Sequence, residues 1–343
     1  MSGLDLPLIW AVIIGTAVVL YVLLDGFDLG VGILFPFART RAEQDVMTAS
    51  IAPVWDGNET WLVLGGGGLF AAFPLAYALV MPAMYLPVIL MLLALIFRGV
   101  AFEFRAKAQG RDHRVWSAAF SGGSMLAAAS QGLVLGGFLK GIAVEGRAFA
   151  GGTWDWLSPF SLLVAASLVA GYALLGACWL IIKAEGELLA HARRWAQALA
   201  PTVAMAMGAV SLATLSLSPD IVARWGVTMR AVDWPMFLPV APAPLIALLA
   251  LLYVWRRSGE EGSLYGPYLA ACVAFLAAFA GLAISIFPYA VPFSVTIWQA
   301  AAADNALALM LVGVAVMLPV ILGYTGYVYW VFRGKVRVGD AYH

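Results

Sequence analysis

The sequence predicts an all-α polytopic membrane protein with nine transmembrane helices, and three observations carry that expectation. The composition is 63% hydrophobic and only 11% charged, whereas soluble domains carry roughly 25% charged residues. Nine apolar stretches reach the length of about 20 residues that a bilayer crossing requires. Lys and Arg are concentrated in every second connection, as in a chain threaded repeatedly through a membrane. The predicted helices cover about 7–37, 50–73, 76–104, 116–139, 158–183, 195–217, 237–255, 264–288 and 303–332. No polar stretch is long enough for a separate soluble domain, so residues 1–343 read as a single membrane domain.

The first span is preceded by no Lys or Arg, and none occurs in the first 20 residues. It therefore reads as a retained helix rather than a cleaved signal. It closes on Leu24-Asp25-Gly26-Phe27-Asp28-Leu29-Gly30. The second opens on Val54-Trp55-Asp56-Gly57-Asn58-Glu59-Thr60-Trp61 and runs on through Leu62-Val63-Leu64 into four glycines, Gly65 to Gly68. That glycine run suits either a neighbouring helix pressed flat against it or local unwinding around a ligand. The third span, joined tightly to the second around Phe73-Pro74, contains Arg98 and ends near Glu103.

The remaining spans are nearly free of charge. Gly132/Gly136 and Gly137/Gly141 repeat the four-residue glycine spacing of Gly26/Gly30, which permits close helix approach. Cys178 and Cys272 both fall inside apolar spans, which argues against a disulfide framework or a cysteine metal site. Asp304-Asn305 reads as a cap and anchor for the last helix. Most tryptophans, Trp55 included, sit toward span ends, where an interfacial belt is expected.

Orientation follows from the cations. Fourteen of the 19 Lys and Arg occupy alternate connections: Arg39 and Arg41; Arg105 to Arg114; Lys183, Arg193 and Arg194; Arg256 and Arg257; and Arg333, Lys335 and Arg337. The intervening connections hold only Lys140, Arg147, Arg224 and Arg230. This asymmetry requires an odd number of spans, with the N-terminus outside and the C-terminus in the cytoplasm.

Against that apolar background the first three spans place Asp25, Asp28, Asp56, Glu59, Arg98 and Glu103 at or near their inner ends. At 1.5 Å per residue, Asp25 lies about 26 Å below Leu8 and Asp56 about 26 Å below Phe73, so the group shares one depth near the cytoplasmic boundary. Asp25/Asp28 and Asp56/Glu59 are each spaced three apart and share a helix face. Four carboxylates facing Arg98 alone would carry net −3 if all were ionised, which low dielectric and mutual repulsion oppose. Some should hold protons near neutral pH and exchange them as a coupled set, as a site of proton uptake would. The plainer alternative is interfacial charge that locks helix ends in register. Intramembrane acids are costly and usually line a polar path, and two such pairs plus Arg98 favour the functional reading. Asn58-Glu59-Thr60 matches a glycosylation sequon but lies at the inner side of a span.

What is missing restricts the chemistry. His113, His191 and His343 all fall in cytoplasmic loops or the tail, so no haem inside the bilayer gains a histidine ligand from this chain. Twelve methionines in apolar surroundings read as packing. There is no phosphate-binding loop, nucleophile elbow or Cys/His metal spacing, and no nucleic-acid partner is expected. The chain alone should perform no redox chemistry.

Leu24 to Gly32 (the DGFDLGVG segment) together with Ile51 to Trp61 (IAPVWDGNETW) resembles subunit II of cytochrome bd-type quinol oxidases. Ala71-Ala72-Phe73-Pro74, Phe97-Arg98-Gly99 with Glu103-Phe104-Arg105, and Gly323-Tyr324-Thr325 through Tyr329-Trp330 extend the likeness over the whole chain. The resemblance implies two four-helix bundles plus a ninth, peripheral helix. It implies a haem-bearing subunit I with haems b558, b595 and d, and in some members a small single-helix subunit. Such a complex in the bacterial inner membrane oxidises quinol on the outer side and reduces O2 to water with cytoplasmic protons. Asp25, Asp28 and Asp56 would then belong to a proton pathway, with Glu59 auxiliary and Arg98 holding the group partly ionised. No haem is ligated by this chain in that reading, although a bound structural quinone or lipid is compatible with it. The competing class is a proton-coupled secondary transporter, whose polar site belongs at the midplane between inverted repeats; here the acids lie at one edge and no repeat is visible.

Overall fold

The computed structural model describes residues 4–228 and 231–337; Arg230 and His343, named above, lie outside them. The chain is helical almost throughout. Asp5 caps α1 (Leu6–Leu34) by accepting the Leu8 N–H at 3.1 Å. A single 3-10 turn (Phe35–Phe37) leads to α2 (Arg41–Ile51), α3 (Trp55–Ala72), α4 (Pro74–Ala83), α5 (Tyr85–Lys107) and α6 (Gly110–Lys140). After a two-residue hairpin, Val144–Glu145 with Ala148–Phe149, come α7 (Pro159–Lys183), α8 (Gly186–Thr214), and the short α9 (Pro219–Trp225) and α10 (Trp234–Val240). The chain continues through α11 (Pro242–Arg257), α12 (Gly266–Ile286), a second small hairpin, α13 (Ile297–Ala300) and α14 (Asp304–Val331).

Among the described residues seven helices are long and apolar enough to cross a membrane, or eight if α10 and α11, bent by 48° at Ala241, count as one span. Three of the expected spans are drawn differently, 237–255 because it crosses the bend at Ala241. The stretch 50–73 is not one helix: Ser50 and Ile51 belong to α2, and α3 starts only at Trp55. The stretch 76–104 breaks at Met84 into α4 and α5. Pro87 has no N–H to offer the Ala83 carbonyl, and Pro82 withholds one from Ala78, so the helix cannot run continuously through this point.

The centre of the molecule is the inner half of α1 against the inner half of α7. From Asp25 to Leu34 every α1 residue is buried, as is every α7 residue from Gly171 to Lys183. A helix buried all round cannot carry large side chains everywhere. A Cβ on Gly30 would stand 1.8 Å from the Tyr172 carbonyl oxygen, so the two backbones touch there. The same device joins α6 to α7, where a Cβ on Gly132 would lie 2.4 Å from Ala165 Cα. The glycine run of α3 is different. It stays helical; Gly65 and Gly68 face Val18 and Ile14 of α1, while Gly66 and Gly67 face open space.

Around this centre α3 packs antiparallel to α1, α6 packs against α1, α5 and α7, and α8, α11 and α12 group with α7. The last helix, α14, buries only Leu307 among its residues. Its inner end is nevertheless tied down: Lys183 Nζ donates to the carbonyls of Phe332 and Gly334, and Lys335 Nζ to that of Ala184 at 2.6 Å.

Helix α2 lies outside the expected spans but for Ser50 and Ile51, and three neighbours latch it. Thr40 caps it by accepting the Glu43 N–H, and Val46, Met47 and Ile51 form its buried face. Arg105 of α5 reaches Asp45 at 2.8 Å and donates to Thr48 and Ser117. Trp179 of α7 donates to the Ser50 carbonyl, and His191 of α8 sets Nδ1 3.1 Å from a Glu43 oxygen. Arg105→Met is expected to loosen this helix by about 1–2 kcal/mol, since hydrogen bonds to a charged group are lost while Asp45 remains in water. Faster amide exchange over residues 41–51, with α5 unchanged, is the measurable result.

Candidate functional site

Asp25 and Asp28 project from one face of the fully buried segment of α1, and neither is exposed at all. Across from them the first turn of α3 distributes its polar residues by rotation. Successive helical residues turn by about 100°, which puts Asn58 about 200° from Asp56. Asn58 therefore faces α1 and is 1% exposed, while Asp56 points outward and is exposed. Glu59 falls between, with 28% of its side chain accessible.

Arg98 of α5 closes the group. It is wholly buried, its Nη1 donates to Glu59 Oε1 at 2.7 Å, and its Nη2 lies 3.6 Å from Asp25 Oδ1. Its guanidinium carbon sits 5.2 Å from the centre of the Trp55 ring, a cation–π contact. Trp55 therefore holds the cation as well as marking a span end.

Asp28 is fixed by a different partner. Asn58 Nδ2 donates to Asp28 Oδ2 at 2.7 Å and to the Leu24 carbonyl at 3.3 Å, while Asn58 Oδ1 accepts from the Tyr329 hydroxyl at 3.0 Å. A carbonyl can only accept, so the amide orientation is determined and Tyr329 must be the donor. Through this bond the otherwise exposed α14 reaches the buried cluster. Asp25 is the least satisfied member: neither of its oxygens makes a direct hydrogen bond of good geometry.

The structure thus brings together Asp25, Asp28, Glu59 and Arg98 and leaves Asp56 outside. Glu103 is exposed as well. The charge balance becomes three carboxylates on one guanidinium, net −2 if all are ionised. Such an excess in a dry interior is relieved by bound protons, so the cluster can take up and release protons without any covalent step. Sequence reading missed the connecting roles of Asn58 and Tyr329. Asn58 sits in the motif between the two acids and could have been found from its helical angle; Tyr329 lies in a stretch that carries the family likeness, but nothing there links it to Asn58.

His113 lies in the first turn of α6, and His191, beside Glu43 in the second turn of α8, sits at the same end of the molecule. Among the described residues no group of three or more His, Cys, Asp or Glu is arranged to hold a metal ion.

Fold and cluster together define a class: a helical integral membrane protein whose interior is built around a buried group of three carboxylates and one guanidinium. The chain matches the family model of cytochrome bd terminal oxidase subunit II over residues 6–332, and it belongs to that family. It is 29% identical to cytochrome bd-I ubiquinol oxidase subunit 2 of Escherichia coli K12, covering 98% of this chain and 96% of the relative. It is also 29% identical to cytochrome bd ubiquinol oxidase subunit 2 of Bacillus subtilis, covering 96% of each. Its fold is that of a chain in the bd oxidase structure from Geobacillus thermodenitrificans, with TM-score 0.77 at 19% identity, over 95% of this chain and 98% of that one. These findings do not favour the secondary-transporter alternative.

Proposed function

We propose that this chain is the haem-free subunit II of a quinol:O2 oxidoreductase, and that its buried cluster delivers cytoplasmic protons to a haem-bearing subunit I. The observation that carries this reading is the gradation of access within one ion group: Asp25, Asp28 and Arg98 sealed, Glu59 part exposed, Asp56 fully outside. Protons would pass between the surface and the sealed pair by way of Glu59, with Arg98 balancing whichever carboxylate is ionised.

The same surface suggests where subunit I docks. Asp56, Gly57, Thr60, Val63, Gly66 and Gly67 form one exposed stripe along α3, where a Cβ on any of the three glycines would meet nothing. A partner helix can approach closely along such a stripe and would meet Asp56 and Glu59 at its polar end. Haems b558, b595 and d belong, in this reading, to subunit I, since the histidines of this chain do not suit them. A small single-helix subunit and a bound quinone or lipid rest on the family resemblance.

The membrane topology completes the proposal. Counting α3 with the seven long helices and the bent α10–α11 pair gives nine spans in one membrane domain. These form two four-helix groups, α1 with α3, α5 and α6, and α7 with α8, α11 and α12, with α14 peripheral. The cation-rich connections face the cytoplasm, which places the N-terminus outside. Gentle purification of the tagged chain from its native membrane is expected to bring down b- and d-type haem signals in a reduced-minus-oxidised spectrum. A colourless, stable monomer would overturn the assignment.

A further inference from the structure

We propose that Tyr21 is a positioning residue for Asp25, its hydroxyl proton kept available to that carboxylate, one helical turn away, by a hydrogen-bonded chain through Gln131 and Tyr172. The inference rests on the proton-delivery reading and assigns the group that prepares Asp25 for it.

The chain joins three helices. Tyr172 of α7 donates to Gln131 Oε1 of α6 at 2.7 Å, and Gln131 Nε2 donates to the Tyr21 hydroxyl of α1 at 2.7 Å. A hydroxyl that already accepts has its own proton free to donate. Tyr21 lies one helical turn before Asp25, within electrostatic reach of it, although the contact falls outside the geometry of a direct hydrogen bond. With the amide reversed, Tyr21 would donate to Gln131 and have no proton left for Asp25. For a carboxylate with no exposed surface that is the costly arrangement, so ionised Asp25 selects the observed polarity.

Packing keeps the chain in place. The Tyr172 ring lies against α1 where it has no side chain: a Cβ on Gly26 would be 2.9 Å from the ring. Tyr21 and Tyr172 are both buried. An amide passes protons poorly because its nitrogen does not readily change its proton count, so the chain sets polarity rather than conducting. The charged and titratable groups around Asp25 are Asp28 and Tyr21 from α1, Glu59 from α3, Arg98 from α5, Tyr172 from α7 and Tyr329 from α14; α6 contributes the uncharged Gln131.

The test uses the assembled complex and infrared difference spectra recorded against pH, with the Asp25 carboxyl band identified by its loss in Asp25→Asn. Tyr21→Phe is expected to move the midpoint of that band about one pH unit toward alkaline, because a donor to the anion is gone. Tyr172→Phe and Gln131→Leu should move it the same way by less. Tyr172→Phe keeps the ring that packs on Gly26, so it remains readable if Tyr21→Phe fails to assemble. Three results would overturn the proposal: a Tyr21→Phe midpoint equal to wild type, a Tyr21→Phe shift with none in either of the other two variants, or no titrating band that depends on Asp25. Failure of the proton-delivery reading shows separately, as unchanged quinol oxidation in Asp25→Asn with the infrared shifts intact.

Discussion

Arg98→Leu is expected to abolish accumulation of the assembled complex, not merely to slow it. The substitution leaves Asp25 and Asp28 fully buried with no ion-pair partner among the described residues and removes the partner of Glu59 at 2.7 Å. Breaking a buried ion pair from one side costs about 3–5 kcal/mol, a large part of the 5–15 kcal/mol that typically separates folded from unfolded states. The measurement is the yield of haem-containing complex from equal amounts of membrane. Arg98→Lys should give an intermediate yield. A lysine keeps the charge, but it lacks the planar fork whose two terminal nitrogens reach toward Glu59 and Asp25 and whose face stacks on Trp55. Adding Asp25→Asn and Glu59→Gln to Arg98→Leu should recover part of the yield, because two of the three uncompensated carboxylates disappear with the cation and only Asp28 remains. Wild-type yield from Arg98→Leu alone would mean that charge balance is not what the cluster contributes to the fold.

Much of this arrangement was legible in the sequence, and the exceptions have physical causes. The depth of Asp25, Asp28, Glu59 and Arg98 follows from counting 1.5 Å per residue from the outer ends of three helices, and the structure brings these four together. The break at Met84 leaves Arg98 on α5, where it meets Asp25 of α1 and Glu59 of α3. Asp56 was grouped with Glu59 because residues three apart are neighbours on a helix, yet a 60° offset suffices to put one carboxylate at the guanidinium and the other outside. Helix α2 was read as a loop, although Thr40 and Glu43 form a capping pair and Val46, Met47 and Ile51 an apolar face. A search for membrane-length spans passes over an amphipathic helix of this size. Contacts of the Tyr329–Asn58 kind, 271 residues apart in sequence, depend on how the last helix docks and have no local signature.

The second large effect separates the sealed part of the ion group from its exposed edge. Asp25→Asn removes a charge while keeping the shape, and Arg98 retains its bond to Glu59. The complex should therefore assemble with normal haem content, while quinol oxidation falls about 100-fold or more, as when a positioned acid–base group is lost. Asp56→Asn should also leave haem content unchanged, but it should reduce turnover less. In this chain Asp56 faces away from the cluster, so its influence must act across the docking stripe of α3. Measuring both variants against haem content decides which surface protons follow. If Asp25→Asn turned over normally while Asp56→Asn collapsed, the route would run along the outside of α3 and the buried aspartates would be structural. The opposite ranking places the step that limits delivery inside the bundle, at the carboxylate that lacks a direct hydrogen bond.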